Sequence, residues 1–190
     1  MMRVQNRETF KGIVLWSVML LCLFLAGCRD KSVDHNNQAV DHYNQGLGYY
    51  YKGDHDRAIS EFTKAIEINP RFAMAYNNRG REYLRKGEHD LAISDFTKAI
   101  EIKPNDAGAY LNRAVAYYKK GQHDLAISDF NKAIEINPKN ARAYSDRGIS
   151  YYHKQEYDKA WEDVHKAQSL GMQVPPEFLK DLREASGREK

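Results

Sequence analysis

Residues suited to hydrolase chemistry occur three times in this sequence. His55, His89 and His123 are each followed directly by an aspartate, and a little further on by Ser60, Ser94 and Ser128. Serine, histidine and aspartate are the types a nucleophilic triad needs. One active centre, however, has no use for three equivalent, evenly spaced copies. Each copy is better read as the first turn of a surface helix. No Cys/His/carboxylate cluster has the spacing of metal ligands, and no glycine-rich loop is present to cradle a phosphate. The sequence therefore predicts no enzyme, no catalytic residue, no metal and no dissociable cofactor. The formal charge of +3 falls to +1 without the first 27 residues, where Arg3, Arg7 and Lys11 face only Glu8. Nucleic-acid binding by counterion release needs a concentrated basic face, and none is predicted.

The remaining reactive groups are two thiols, Cys22 and Cys28. Residues 1–11 are basic, and the run from Gly12 to Gly27 (GIVLWSVMLLCLFLAG) then carries no charge. A permanent span needs about 20 apolar residues, so this shorter run has the organisation of a signal peptide. The alternative is an uncleaved signal anchor with an incidental Cys28. The end of the run, Leu25-Ala26-Gly27-Cys28, is similar to the bacterial lipobox. That resemblance implies cleavage before Cys28 and diacylglycerol attachment to its sulfur. Cys22 would leave with residues 1–27, and a single cysteine cannot close an internal disulfide. The expected location is a bacterial membrane, lipid-anchored and facing the periplasm. Arg29 rather than aspartate follows the cysteine, which favours the outer membrane by the lipoprotein sorting rule. Residues 28–38 read as a polar tether; ten residues fully extended reach about 35 Å.

Positioning falls to an internal repeat of constant period. HDLAISDFTKAIEIKP (89–104) returns as HDLAISDFNKAIEINP (123–138), with HDRAISEFTKAIEINP (55–70) before them and a looser copy, EYDKAWEDVHKAQSL (156–170), after. Four units are predicted, at 39–72, 73–106, 107–140 and 141–174. Each holds two helical patterns. The first stops at Gly53, Gly87 or Gly121, with Gln155 in the last unit, as expected of a helix C-terminus. The second is predicted to open with Asp56, Asp90, Asp124 or Asp158 as N-cap. Pro70, Pro104 and Pro138 end it. Residues 176–185, with Phe178, Leu179 and Leu182 on one stripe, are predicted to form a capping helix within a 175–190 tail.

The pattern of small and large residues resembles the tetratricopeptide repeat (TPR) across 39–174. Gly46, Gly80, Ala114 and Gly148 take its small site, Tyr49, Tyr83, Tyr117 and Tyr151 its aromatic site, and Phe62, Phe96 and Phe130 the second-helix aromatic, with Val164 departing. The resemblance implies an all-α solenoid of four helix-turn-helix units with a C-terminal capping helix. It also implies a concave groove, lined by the first helices, that takes an extended peptide or another protein. Asn44, Asn78 and Asn112 align there, followed by Asp146. Tyr50, Leu84, Tyr118 and Tyr152 supply contact surface, and Arg81, Arg85 and Lys119 make the centre basic. Chaperone-tail binding is not expected, because Tyr43 and Asn77 stand where that clamp needs lysines. A different set, Arg79, Arg113 and Arg147, is predicted to pair with Asp95, Asp129 and Asp163 in the second helix of the same unit; repeat one has Gln45 and Glu61 instead. These features predict a membrane-anchored interaction scaffold of the cell envelope. The runner-up is a pilotin-like accessory lipoprotein for secretin or pilus assembly.

Overall fold

The structure, a computed structural model, describes residues 35–187. Cys28 and the predicted signal segment lie outside them. Nine helices and no strand occur among the described residues: α1 (35–52), α2 (His55–Ile68), α3 (Ala73–Arg85), α4 (His89–Ile102), α5 (Ala107–Lys119), α6 (His123–Ile136), α7 (Ala141–His153), α8 (Tyr157–Ser169) and α9 (Pro176–Ser186). α1 takes in residues 35–38, which the sequence reading assigned to the tether, and Asn69 donates to the Asn36 side chain at 3.2 Å.

The turns explain why the helices come in antiparallel pairs. Gly53, Gly87 and Gly121 adopt φ of +75°, +79° and +72°, and Gln155 follows at +62°. A left-handed residue reverses the chain and lets the next amide donate back to the helix just left. Asp54, Glu88, Gln122 and Glu156 do this to the carbonyls of Tyr49, Tyr83, Tyr117 and Tyr151 at 2.9–3.1 Å. This is the Schellman closure, for which glycine has no steric penalty.

The expected aspartate N-caps are displaced in the structure. The second helices begin at His55, His89, His123 and Tyr157, so the N-caps are Asp54, Glu88, Gln122 and Glu156. Asp56, Asp90, Asp124 and Asp158 lie in the first turn, where a carboxylate still meets the positive end of the helix dipole. The tight Schellman turn starts the helix two residues early. Three of these aspartates reach sideways: Asp56 pairs with Lys86 at 2.8 Å, Asp124 with Lys154 at 2.5 Å, and Asp90 with Lys120.

Within each pair, the small site allows close approach. A Cβ on Gly80 would stand 2.8 Å from the Phe96 ring, and one on Gly46 2.6 Å from Phe62. Phe62, Phe96 and Phe130 are completely buried or nearly so, each contributing about 1.5–3 kcal/mol of transfer free energy. Helices α1, α3, α5 and α7 form one layer; α2, α4, α6 and α8 form the other. α5 touches both α3 and α7, whereas successive even-numbered helices stand farther apart, so the array curves toward the odd-numbered layer.

The layers are riveted by one repeated device. Arg113 on α5 donates through Nε and Nη2 to Asp129 on α6 at 2.7 and 2.9 Å, and through Nη1 to Thr97 on α4 at 3.0 Å. Its guanidinium also lies 5.7 and 5.8 Å from the rings of Tyr110 and Tyr117. Arg79 makes the same contacts with Asp95 and Thr63, and Arg147 with Asp163 and Asn131. Each arginine thus joins its own helix pair to the preceding one. In repeat one, Glu61 instead accepts from His42 Nδ1 and from Lys64. At the other end α9 closes the stack: Leu182 is fully buried against Trp161, Val164 and Val174, and Trp161 Nε1 donates to Ser186 at 3.0 Å.

Candidate functional site

The concave face is built from α1, α3, α5 and α7, and its predicted residues have separate fates. Asn44 is exposed on α1. Asn78 is nearly buried; its amide donates to Tyr43 Oη at 2.8 Å and its carbonyl accepts from Arg81 at 3.2 Å. Asn112 donates to Asn77 Oδ1 at 2.9 Å. Two members of the ladder therefore use their amides to join neighbouring helices. Leu84 packs beside Phe96, Ala92 and Ala116 between the repeats. Tyr152 meets Phe178 of α9 edge-on, with ring centroids 5.6 Å apart.

Tyr50, Arg81 and Arg85 gather into one cluster. Both arginines donate to Tyr50 Oη, and the Arg85 guanidinium lies 4.3 Å from the centre of its ring. Arg85 also donates to Glu82 at 2.9 Å, and His55 Nδ1 bonds the same carboxylate at 2.6 Å. Glu82 has no exposed surface, so these two partners take the place of water around its carboxyl oxygens. Sequence reasoning did not single it out. The available signal was its departure from a position held by Gly48, Ala116 and Ser150 in the other units. At the positions of His55 in the next two units, the buried Nδ1 atoms of His89 and His123 have no hydrogen-bond partner among the described residues.

The third group, Tyr118, Lys119 and Asp146, converges on a notch of about 140 Å³ between α5 and α7, completed by Val115, Phe130, Arg142 and Ile149. Its floor is apolar. Burial pushes the Asp146 carboxyl above its ordinary range, opposed by Arg142, which donates to it from Nε at 3.2 Å. Burial likewise raises the Tyr118 hydroxyl, with help from the Asp146 charge. Tyr118 Oη lies 2.9 Å from His153 Nε2, and His153 stacks on His123 with centroids 5.1 Å apart. Burial, and then the neighbouring His123, lower the His153 value. Lys119 is exposed at the rim with no carboxylate in ion-pair range among the described residues. The notch can therefore seat an apolar side chain and offer a cation to an acidic neighbour. Among the described residues no group of three or more His, Cys, Asp or Glu could hold a metal ion, and no helix is long and apolar enough to cross a membrane.

Comparison with known proteins agrees with this architecture. Sequence profiles described as tetratricopeptide repeat match residues 39–72, 61–94, 107–140 and 130–162, and one described as TPR repeat matches 80–121. No curated protein matches the chain. Among solved structures, a crystal structure of MamA superposes with a TM-score of 0.69 at 26% identity, covering 90% of this chain and 96% of that one. MamA 41-end from Desulfovibrio magneticus RS-1 gives 0.67 at 25%, covering 71% and 76%. The second TPR domain of human RPAP3, solved in complex with the HSP70 peptide SGPTIEEVD, gives 0.60 at 26%, covering 61% and 97%. Matched profiles run from residue 39 to residue 162, and the helix pairs follow the same period; the chain belongs to the tetratricopeptide-repeat family.

Proposed function

We propose that this chain is a lipid-anchored scaffold of the bacterial cell envelope that holds a protein partner by an extended peptide segment in its concave groove. The observation that carries the reading is the notch between α5 and α7. It combines an apolar floor of Val115, Phe130 and Ile149 with an exposed Lys119 that has no carboxylate in ion-pair range among the described residues. Such a pocket suits an aliphatic side chain next to an acidic group, because apolar burial supplies affinity and a rim charge supplies register and encounter rate. The human RPAP3 domain, which binds an HSP70 peptide, supports a peptide as the kind of ligand. Chaperone tails themselves are not proposed. Tyr43 and Asn77 replace the lysines of that clamp, and both accept hydrogen bonds from asparagines of neighbouring helices.

The anchor belongs to the same proposal. Its support is the LAGC sequence at 25–28 behind an uncharged run, with diacylglycerol on Cys28 and the outer membrane favoured. The notch calls for no catalytic step, and none is proposed. The test is affinity capture of the partner by the tagged full chain. Lys119→Glu should abolish capture, and Lys180→Glu on α9 should leave it intact. Capture that survives Lys119→Glu and is lost with Lys180→Glu would move the binding surface out of the groove.

A further inference from the structure

The chain enters the array on one particular edge. Every odd-numbered helix starts there, because each is followed by a tight turn and an antiparallel partner. The start of α1 therefore shares this edge with the loops at 69–72, 103–106 and 137–140. By the repeat register, the described part of α1 already reaches one helical turn further back than the starts of α3, α5 and α7, about 6 Å beyond them. Residues 29–34 separate its first described residue from Cys28, and seven residue steps reach no more than about 25 Å. The opposite edge is farther off by the length of a 13-residue helix, about 20 Å at the α-helical rise.

The two edges also differ in chemistry. On the entry edge Arg71 and Lys139 are exposed with no carboxylate in ion-pair range among the described residues, and Lys103 has only Asp106, at 3.8 Å. Met74 and Val40, 53% and 43% exposed, lie in the first turn of α3 and at the equivalent position of α1, on the same side of the array. Glu67, one turn back in α2, is an exposed acid on the same side, and its equivalents Glu101 and Glu135 are paired with Lys98 and Lys132. Across the array, Lys86, Lys120 and Lys154 are each neutralised by an aspartate of the preceding unit, Lys52 lies over the Tyr49 ring, and Lys119 is an exposed cation at the groove side of that edge. Free cations beside exposed apolar side chains suit an anionic lipid surface, and the short link from Cys28 brings this edge to it first.

We infer that the entry edge, with Arg71, Lys139, Met74 and Val40, rests on the anionic phospholipid surface. The groove then runs parallel to the membrane, with its Met74–Arg142 rim at the headgroups. This rests on the reading that Cys28 is acylated. A partner must then present its peptide along the membrane plane, close to the bilayer.

The test uses the acylated full-length protein in vesicles of zwitterionic and anionic phospholipid. A fluorophore is placed at Asn105→Cys on the entry edge or at Glu88→Cys on the far edge, and nitroxide-headgroup lipid is the quencher. Mass spectrometry of the Cys28 peptide is run on the same sample. The expected result is several-fold stronger quenching at position 105 than at 88. Arg71→Gln with Lys139→Gln should weaken the affinity of this edge for the anionic surface by about fivefold per cation removed and bring the two quenching values together, while the protein stays membrane-bound. An acylated chain quenched equally at both positions, or more at 88, overturns the orientation alone. A Cys28 that carries no acyl chain overturns the anchor, and the orientation with it.

Discussion

The arginine rivets invite a double-mutant cycle in the third unit. Arg113 and Asp129 are largely buried, with side chains 16% and 9% exposed, and they meet through two hydrogen bonds. Arg113→Met strands the carboxylate and also removes the bond to Thr97 and the contacts with Tyr110 and Tyr117. Breaking a buried pair from one side costs about 3–5 kcal/mol. The remaining exposure argues for the lower end, about 3 kcal/mol. In a domain of this size that lowers Tm by about 6–12 °C. Asp129→Leu should cost less, about 2 kcal/mol, because the guanidinium keeps Thr97 and two ring faces. Arg113→Met with Asp129→Leu removes both charges and leaves an apolar contact, which is often near neutral relative to a buried ion pair. The double variant should therefore lose about 1–2 kcal/mol, far less than the sum of the singles. Urea unfolding followed by circular dichroism measures all four corners. A double variant whose loss equals that sum within about 0.5 kcal/mol would refute the coupling and reduce the rivet to separate surface contacts.

Further outcomes follow from other residues. Gln155→Gly relieves the only non-glycine left-handed residue among those described and should stabilise the fold by about 1 kcal/mol, read as a raised Tm. Leu182→Ala opens a cavity under α9 and should cost about 2–5 kcal/mol, with Trp161 fluorescence reporting the exposure. Asp106, which accepts from the amides of Gly108 and Ala109 at the start of α5, should cost about 1 kcal/mol when changed to alanine. Burial raises the Asp146 carboxyl, so the folded state takes up its proton at a higher pH than the unfolded chain. Its contribution favours folding at low pH and is lost as pH rises through the folded value. Asp146→Asn should therefore raise Tm at neutral pH, with the gain shrinking as the medium is acidified toward the ordinary carboxylate range.

The fold was legible because a repeat states each rule several times. The glycines at 53, 87 and 121 mark the reversals, and the constant spacing from Arg79 to Asp95, Arg113 to Asp129 and Arg147 to Asp163 places both side chains between the same two helices. Gly80 and Phe96 likewise predict a close crossing. Cap chemistry was less legible, since an aspartate at the first or second position of a helix reads the same in sequence. Only the left-handed turn puts Glu88 and Gln122 at the cap and turns Asp90 and Asp124 toward lysines of the next unit. The groove was harder still. Asn78 bonds Tyr43, Asn112 bonds Asn77, and Tyr50 is clasped by Arg81 and Arg85, all between neighbouring units. Such contacts depend on the lateral offset of adjacent helices, which the period alone does not define. Tyr152 was placed in the groove for the same reason; the position of α9 decides its contact with Phe178.

The central claim is that partners bind the concave side, and site-specific photocrosslinking in the intact envelope tests it most directly. A benzophenone amino acid replaces Ile149 in the notch or Leu125 on α6, which is half exposed on the outer layer. A discrete crosslinked protein species is expected from position 149 and none from 125. Crosslinking from 125 with none from 149 would contradict concave-side binding.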